Sequence, residues 1–215
     1  MFMQRSLSFT ALVTLLLAGC TALPSARIPN KSDSTQLAYT TRRVVTGHDS
    51  NKKAIFLFDG QPERVVTTET LPGLELLELW ATDETPTVPV PPVDPTLAMK
   101  SFVPGPGGSR FRVFRLPGFS RRAFDAEAFQ REYLRKAPGL ADAMEKNGAG
   151  MHTTDTVDYL VILSGAVHLE LDDGRTVQMK SGDCIIQNGT RHAWRNVRRE
   201  PCVIAVVMVG AVRGQ

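Results

Sequence analysis

The chain has 215 residues, of which 42% are hydrophobic and 22% charged, and carries a formal net charge of +3. That length holds one domain of ordinary size with appendages and leaves a second full domain cramped. The small basic surplus, with acidic residues interleaved and no basic–aromatic repeat, argues against nucleic-acid binding, so Arg121, Arg122, Arg191, Arg195, Arg198 and Arg199 read as solvated surface charge.

Residues 1–20 read as a targeting segment. Arg5 supplies the positive start, Phe9 to Leu17 form an apolar run too short to span a bilayer, and small residues follow. The closing Leu17-Ala18-Gly19-Cys20 resembles the lipobox of bacterial lipoproteins. That resemblance implies cleavage before Cys20, lipidation of its thiol and a periplasmic protein tied to a membrane by lipid alone. Because Thr21 and not Asp follows, the outer membrane is the implied address. The alternative is an ordinary secretory signal that contains a cysteine. Residues 21–38, polar and carrying Pro24 and Pro29, read as a flexible tether, and residues 39–215 as a single domain.

Four extended segments are expected first: Thr40 to Val45, Ala54 to Phe58, Arg64 to Glu69 and Leu74 to Thr82, with breakers at Gly47, Asp59-Gly60 and Pro72-Gly73. Residues 85–108, rich in Pro and Gly, read as an irregular loop over the surface. Strand character resumes at Phe111 to Leu116. Residues 121–146 switch period: Phe124, Ala128, Phe129 and Tyr133, then Leu140 and Met144, recur at helical spacing and predict two short helices. From Val157 short strands return, with turns at Ser164-Gly165, Asp172-Asp173-Gly174, Ser181-Gly182-Asp183 and Asn188-Gly189, and an apolar closing run from Val203 to Val209. Asp173-Gly174 is a hairpin signal, because the favoured turn needs positive φ at both central residues. An all-β-dominated fold follows, a sandwich or small antiparallel β-barrel with two short helices. Cys184 and Cys202 lie in apolar runs and are expected as unpaired core residues, the alternative being a disulfide formed in an oxidising periplasm.

The chemistry concentrates between Met151 and Asn196. His152 and Asp158 are six apart, so an extended chain turns both to one face, and His192, Trp194 and Asn196 share a face of their own segment. Two neutral imidazoles and one carboxylate form a ligand set that leaves coordination positions open for substrate. His48 and His168 read as surface or core residues instead. Tyr159 and Trp194 are expected to pack in the barrel, with Trp194 as a wall of the cavity.

These residues resemble the cupin superfamily, whose motifs run G-x₅-H-x-H-x₃₋₄-E-x₆-G and G-x₂-H-x₃-N. Asp158 and Gly165 match the end of the first motif with Asp for Glu, and His152 falls at its first histidine. Gly189, His192 and Asn196 match the second. Thr154 stands where a second histidine is usual, and Gln187 replaces the usual proline one residue closer to Gly182. The phrase from Met151 to Tyr159 is similar to that of a subgroup of small bacterial and fungal cupins, and Arg42 to His48 is similar to their amino-terminal segment. The resemblance implies a jelly-roll-like barrel with His152, Asp158 and His192 facing inward as metal ligands, Asp155 ranking behind Asp158. Thr154, Tyr159, Trp194 and Asn196 are the expected ligand-pocket residues. A divalent transition metal (Fe, Mn, Ni or Zn) is implied, or, with a histidine missing, none.

Two function classes stay open. One is a metal-dependent enzyme of oxygenase, decarboxylase or isomerase type acting on a small oxygen-rich molecule. The other is a non-enzymatic cup for a small ligand or sugar. No residue stands out as catalytic apart from the ligand set, and no nucleotide-binding glycine loop or nucleophile elbow is present. Homodimerisation through the amino-terminal strands is also expected.

Overall fold

A computed structural model describes residues 40–120, 123–146 and 150–214. The signal segment, Cys20 and the tether lie outside these residues, as do Arg121 and Arg122. Among the described residues no helix is long and apolar enough to cross a membrane.

The chain forms β1 (Arg43–His48), β2 (Ala54–Gly60), β3 (Val65–Thr67), β4 (Glu75–Thr82), β5 (Ser109–Leu116), α1 (Ala126–Lys136) and α2 (Leu140–Ala143). It continues through β6 (Thr156–Ser164), β7 (Ala166–Glu170), β8 (Thr176–Lys180), β9 (Cys184–Asn188), β10 (Ala193–Arg195) and β11 (Cys202–Gly210). All strand pairs are antiparallel. They assemble as a six-stranded sheet ordered β3-β4-β5-β11-β6-β9, a three-stranded sheet ordered β10-β7-β8, and the hairpin β1-β2. The fold is therefore mostly antiparallel β with two helices, as expected.

The closing apolar run becomes β11, a central strand of the large sheet between β5 and β6. Both of its faces are covered along much of its length, which explains why it reads as a continuous hydrophobic run with no alternation. In β6 the alternation is clean. Thr156, Asp158, Leu160 and Ile162 turn inward, while Tyr159 and Val161 turn out. At one end the two sheets close on a core of Leu160, Ile162, Val167, Ile185, Cys202, Ile204, Val206 and Met208. At the other, α1 and α2 lie over the large sheet around Leu76, Phe102, Phe129, Tyr133 and Ala141.

The helices form where their spacing predicts, with α1 starting two residues after Phe124. The Asp125 carboxylate accepts from Ala128 N at 2.9 Å and caps α1, Glu127 sits in its first turn, and Arg135 and Lys136 in its last, so the ends complement the helix dipole. Glu132 anchors the helix to the segment before β4 by accepting from the Glu69 and Thr70 backbone N–H groups at 2.8 and 3.0 Å.

The hairpin between β7 and β8 forms with Asp173 at φ 60° and Gly174 at φ 67°. Leu171 N donates to Arg175 O at 2.9 Å across it, so the loop has three residues and not two. Gly165, at φ 77°, joins β6 directly to β7, and a Cβ there would lie 2.4 Å from Pro201 O.

Three expectations are corrected. The first strand runs on through Gly47, which does not break it: the side chain of Leu57 occupies the space a Cβ would need, at 2.4 Å. The 85–108 loop is not confined to the surface. Met99 and Phe102 are 4% and 0% exposed in the core, and Arg64 and Arg112 lie over the Phe102 ring. The cysteines are free, but only Cys202 is buried; Cys184 alternates outward on β9.

Candidate functional site

His152 lies outside any strand and is held by an isolated antiparallel bridge to His192, each backbone N–H donating to the other's carbonyl at 2.9 Å. Directly opposed residues of such a bridge project to the same side. The two imidazoles accordingly lie with ring centroids 4.1 Å apart, inclined by 51°. His152 Nδ1 is 3.1 Å from Gly150 O, and His192 Nδ1 is 2.9 Å from Thr190 O. A carbonyl can only accept, so each Nδ1 carries the hydrogen and each Nε2 keeps its lone pair. Burial lowers the pKa of both rings. His192 falls to about 4, with the neighbouring His152 adding to the effect and Thr190 O opposing it. For His152, Gly150 O opposes burial and Arg195 reinforces it. The pair is neutral near pH 7, as a ligand or proton acceptor must be.

Trp194, next but one along the same segment, meets the His192 ring edge-on at 5.9 Å and packs against Phe114 at 6.4 Å. Thr154 is 5% exposed, and its hydroxyl pairs with that of Thr156 at 2.8 Å. Asp158 faces inward from β6, 6% exposed, with Oδ1 buried and without a hydrogen-bond partner among the described residues. Burial pushes its carboxyl up to about 6, against the lowering pull of Thr156 and Arg112.

His152, Thr154, Asp158, His192 and Trp194 all line one cavity of about 390 Å³ under α1 and α2. Most of the rest of the wall is apolar, including Leu74, Leu76, Phe114, Phe129, Leu140 and Met208. This is the make-up of small-molecule sites, an apolar hollow with a few convergent polar groups.

Two expected pocket residues are elsewhere. Tyr159 is 52% exposed, because it follows Asp158 in a strand and therefore points to the opposite face. Asn196 has left β10 and ties a turn: Nδ2 donates to Glu200 O at 2.8 Å, and Oδ1 accepts from Arg198 N at 3.0 Å. Asp155 is held by Arg213 at 2.5 Å, away from the imidazoles. His48 and His168 do not line the cavity.

Three functional candidates escaped the sequence reading. Arg112 lines the cavity from β5 at 2% exposure, its Nε 2.9 Å from the fully buried Glu78 on β4 and its Nη2 donating to Phe102 O. Burial raises the Glu78 pKa while Arg112 opposes that shift. Tyr133 reaches in from α1, its hydroxyl pushed up to about 12 by burial. Arg195 stands at the wall beside Trp194 and pairs with Glu170 at 2.5 Å. Parity was the available signal for Arg112, which shares a face with Phe114 and Leu116.

Among the described residues no three His, Cys, Asp or Glu side chains stand close enough together to hold a metal ion. The structure thus brings His152 and His192 together and puts Asp158 on the same cavity, without joining all three as one ligand group.

Residues 143–209 match the cupin-domain family model. Phomopsin biosynthesis cluster protein C′ of Diaporthe leptostromiformis is 29% identical over 160 residues, 73% of this chain and 71% of that one. A cupin-domain-containing oxidoreductase of Neurospora crassa is 40% identical over 47 residues, 22% of this chain and 24% of its own. A solved Klebsiella pneumoniae protein with a double-stranded β-helix domain superposes with a TM-score of 0.32 at 18% identity, covering 49% of this chain and 70% of that one.

Proposed function

We propose that this chain is a cupin-domain protein that binds and transforms a small, oxygen-bearing molecule in the cavity beneath α1 and α2. The observation that carries the reading is the His152–His192 pair, two neutral imidazoles with free Nε2 atoms aligned by one backbone bridge in an otherwise apolar hollow.

The donor chemistry of this pair fits a divalent transition metal: neutral rings, fixed tautomers and backbone carbonyls behind each Nδ1 are what metal-binding histidines have. His152 and His192 would hold such an ion, with Asp158, on the same cavity, the additional ligand that the motif implies. Bound there, it would supply Lewis-acid polarisation of a substrate oxygen, which suits oxygenase, decarboxylase or isomerase chemistry. The chain's own contributions are separate. The α1 and β-sheet side chains exclude water from the bound molecule, and Asp158, unpaired at Oδ1, is the group able to give or take a proton there.

A second reading, a metal-free binding cup, is favoured by Thr154, a poor donor where a third imidazole would complete the set. Elemental analysis of the purified protein before and after reconstitution with Fe, Mn, Ni or Zn separates the two. Stoichiometric metal supports the enzyme; its absence after reconstitution leaves the cup. For the amino terminus we propose a periplasmic, outer-membrane lipoprotein anchored at Cys20, to be tested by acyl labelling that Cys20→Ser should abolish.

A further inference from the structure

The cavity has a second polar group, built on the sheet. Arg112 on β5 and Asp158 on β6 flank β11, where Val206 pairs with Arg112 and Met208 with Asp158. Tyr133 descends from α1. All three line the cavity, and their exposures are 2, 6 and 7%.

Their hydrogen-bonding capacity is only partly used. Arg112 donates Nη2 to Phe102 O, whereas its Nε, although 2.9 Å from Glu78 Oε1 as an ion pair, makes no hydrogen bond, and Nη1 has no acceptor among the described residues either. Asp158 Oδ1 and the Tyr133 hydroxyl likewise have no hydrogen-bond partner among them. Buried polar groups are ordinarily paired, so three incompletely paired ones lining one cavity point to a missing partner. The neighbouring lining is aromatic. Phe129 stacks on Tyr133 with centroids 5.0 Å apart and meets Phe124 at 5.5 Å, and Trp194 and Phe114 pack together on the cavity wall.

We propose that the cavity takes an uncharged hydroxylated aromatic ring, its hydroxyl set among Arg112, Tyr133 and Asp158 and its ring against the Phe124–Phe129 shelf. This rests on the cavity being the ligand site, as proposed above, and adds the chemical class. A hydroxyl matches the wall in both senses, donating to the bare Asp158 Oδ1 and accepting from Arg112 Nη1 or the Tyr133 hydroxyl. A carboxylate matches it poorly. The charge of Arg112 is already answered by Glu78 at 2.9 Å, so an anion would meet two acidic side chains against one guanidinium. A hydrocarbon would leave all three groups desolvated without partners. A flat ring fits the shelf because aromatic groups gain from offset and edge contacts beyond their buried area.

Calorimetric titration of the purified full chain with 2-naphthol, naphthalene and 2-naphthoate tests the class. The expected result is 2-naphthol binding about tenfold or more tightly than either of the others. Tyr133→Phe should shrink that preference several-fold with the naphthalene affinity unchanged, and Phe129→Leu should weaken all three ligands alike. His168→Ala, on β7 and not lining the cavity, should leave the preference intact. Equal affinities for 2-naphthol and naphthalene, or tighter binding of 2-naphthoate, would overturn the class while leaving the cavity as a ligand site. Failure of all three ligands to bind would overturn the cavity reading itself.

Discussion

His152 and His192 hold each other in place through their backbones, two reciprocal N–H···O bonds of 2.9 Å, and present imidazoles whose centroids are 4.1 Å apart. Neither residue sits inside a regular strand pair; this bridge and a second one from His152 to Met144 align them. His192→Ala is therefore expected to lower divalent-metal affinity by more than the roughly 10–100-fold that loss of an outer hydrogen-bond partner costs a metal site. His168→Ala, on β7 and away from the cavity, should keep it. Metal analysis of both variants checks this, and equal losses would show the faces to be wrongly assigned.

The buried Arg112–Glu78 pair should be costly to break and cheap to replace. Glu78→Ala strands a guanidinium that is 2% exposed, and the expected loss is about 3–5 kcal/mol by urea denaturation. The double change Arg112→Met with Glu78→Leu removes both charges at once and should recover most of that loss. A double variant no more stable than Glu78→Ala would contradict the pairing.

Stability at acid pH should depend on Glu132. Lys136, Thr70 and the Glu69 backbone N–H hold its carboxyl far below the usual carboxylate range. In the unfolded chain the group returns to about 4.3. A folded-state value below the unfolded one means that the contribution is fully present above about pH 4.3 and is lost progressively as pH falls beneath it. Thermal melts should therefore show Glu132→Gln less stable than the parent at pH 7, with the gap closing toward pH 3. Parallel melting curves for the two proteins would refute the assignment.

Thiol alkylation should discriminate the strand cysteines. Cys184 is exposed on β9, whereas Cys202 is 0% exposed and burial pushes its thiol up to about 11. Peptide mapping after iodoacetamide treatment of the native protein should find Cys184 modified and Cys202 intact until denaturant is added.

The fold was legible in the sequence wherever a periodicity had a physical cause. Phe129 and Tyr133 fall on one helical face because α1 packs there, and Asp173-Gly174 announces a hairpin because positive φ suits those residues. Asp158 and Thr154 were found by motif, as were His152 and His192, and all four line the cavity. Tyr159 was misplaced although strict alternation from Asp158 sends it outward. Asn196 was misplaced because alternation holds only within a strand, and β10 ends at Arg195. Arg112 went unnoticed for another reason. An arginine amid apolar residues reads as surface, and its partner Glu78 lies thirty-four positions earlier, joined to it only by strand pairing.

The cavity's two kinds of wall come from different stretches of chain. Its polar groups stand mainly on the sheet and at the histidine bridge, whereas much of the apolar roof, Phe124, Phe129, Leu140 and Met144, comes from the single stretch around α1 and α2. That stretch is fastened through Glu132 to the turn before β4. Substitutions at these roof positions would thus alter the size and shape of the proposed ligand's space while leaving His152, His192 and Asp158 in place. On the proposed reading, what the cavity admits and what it does are set by different stretches of chain.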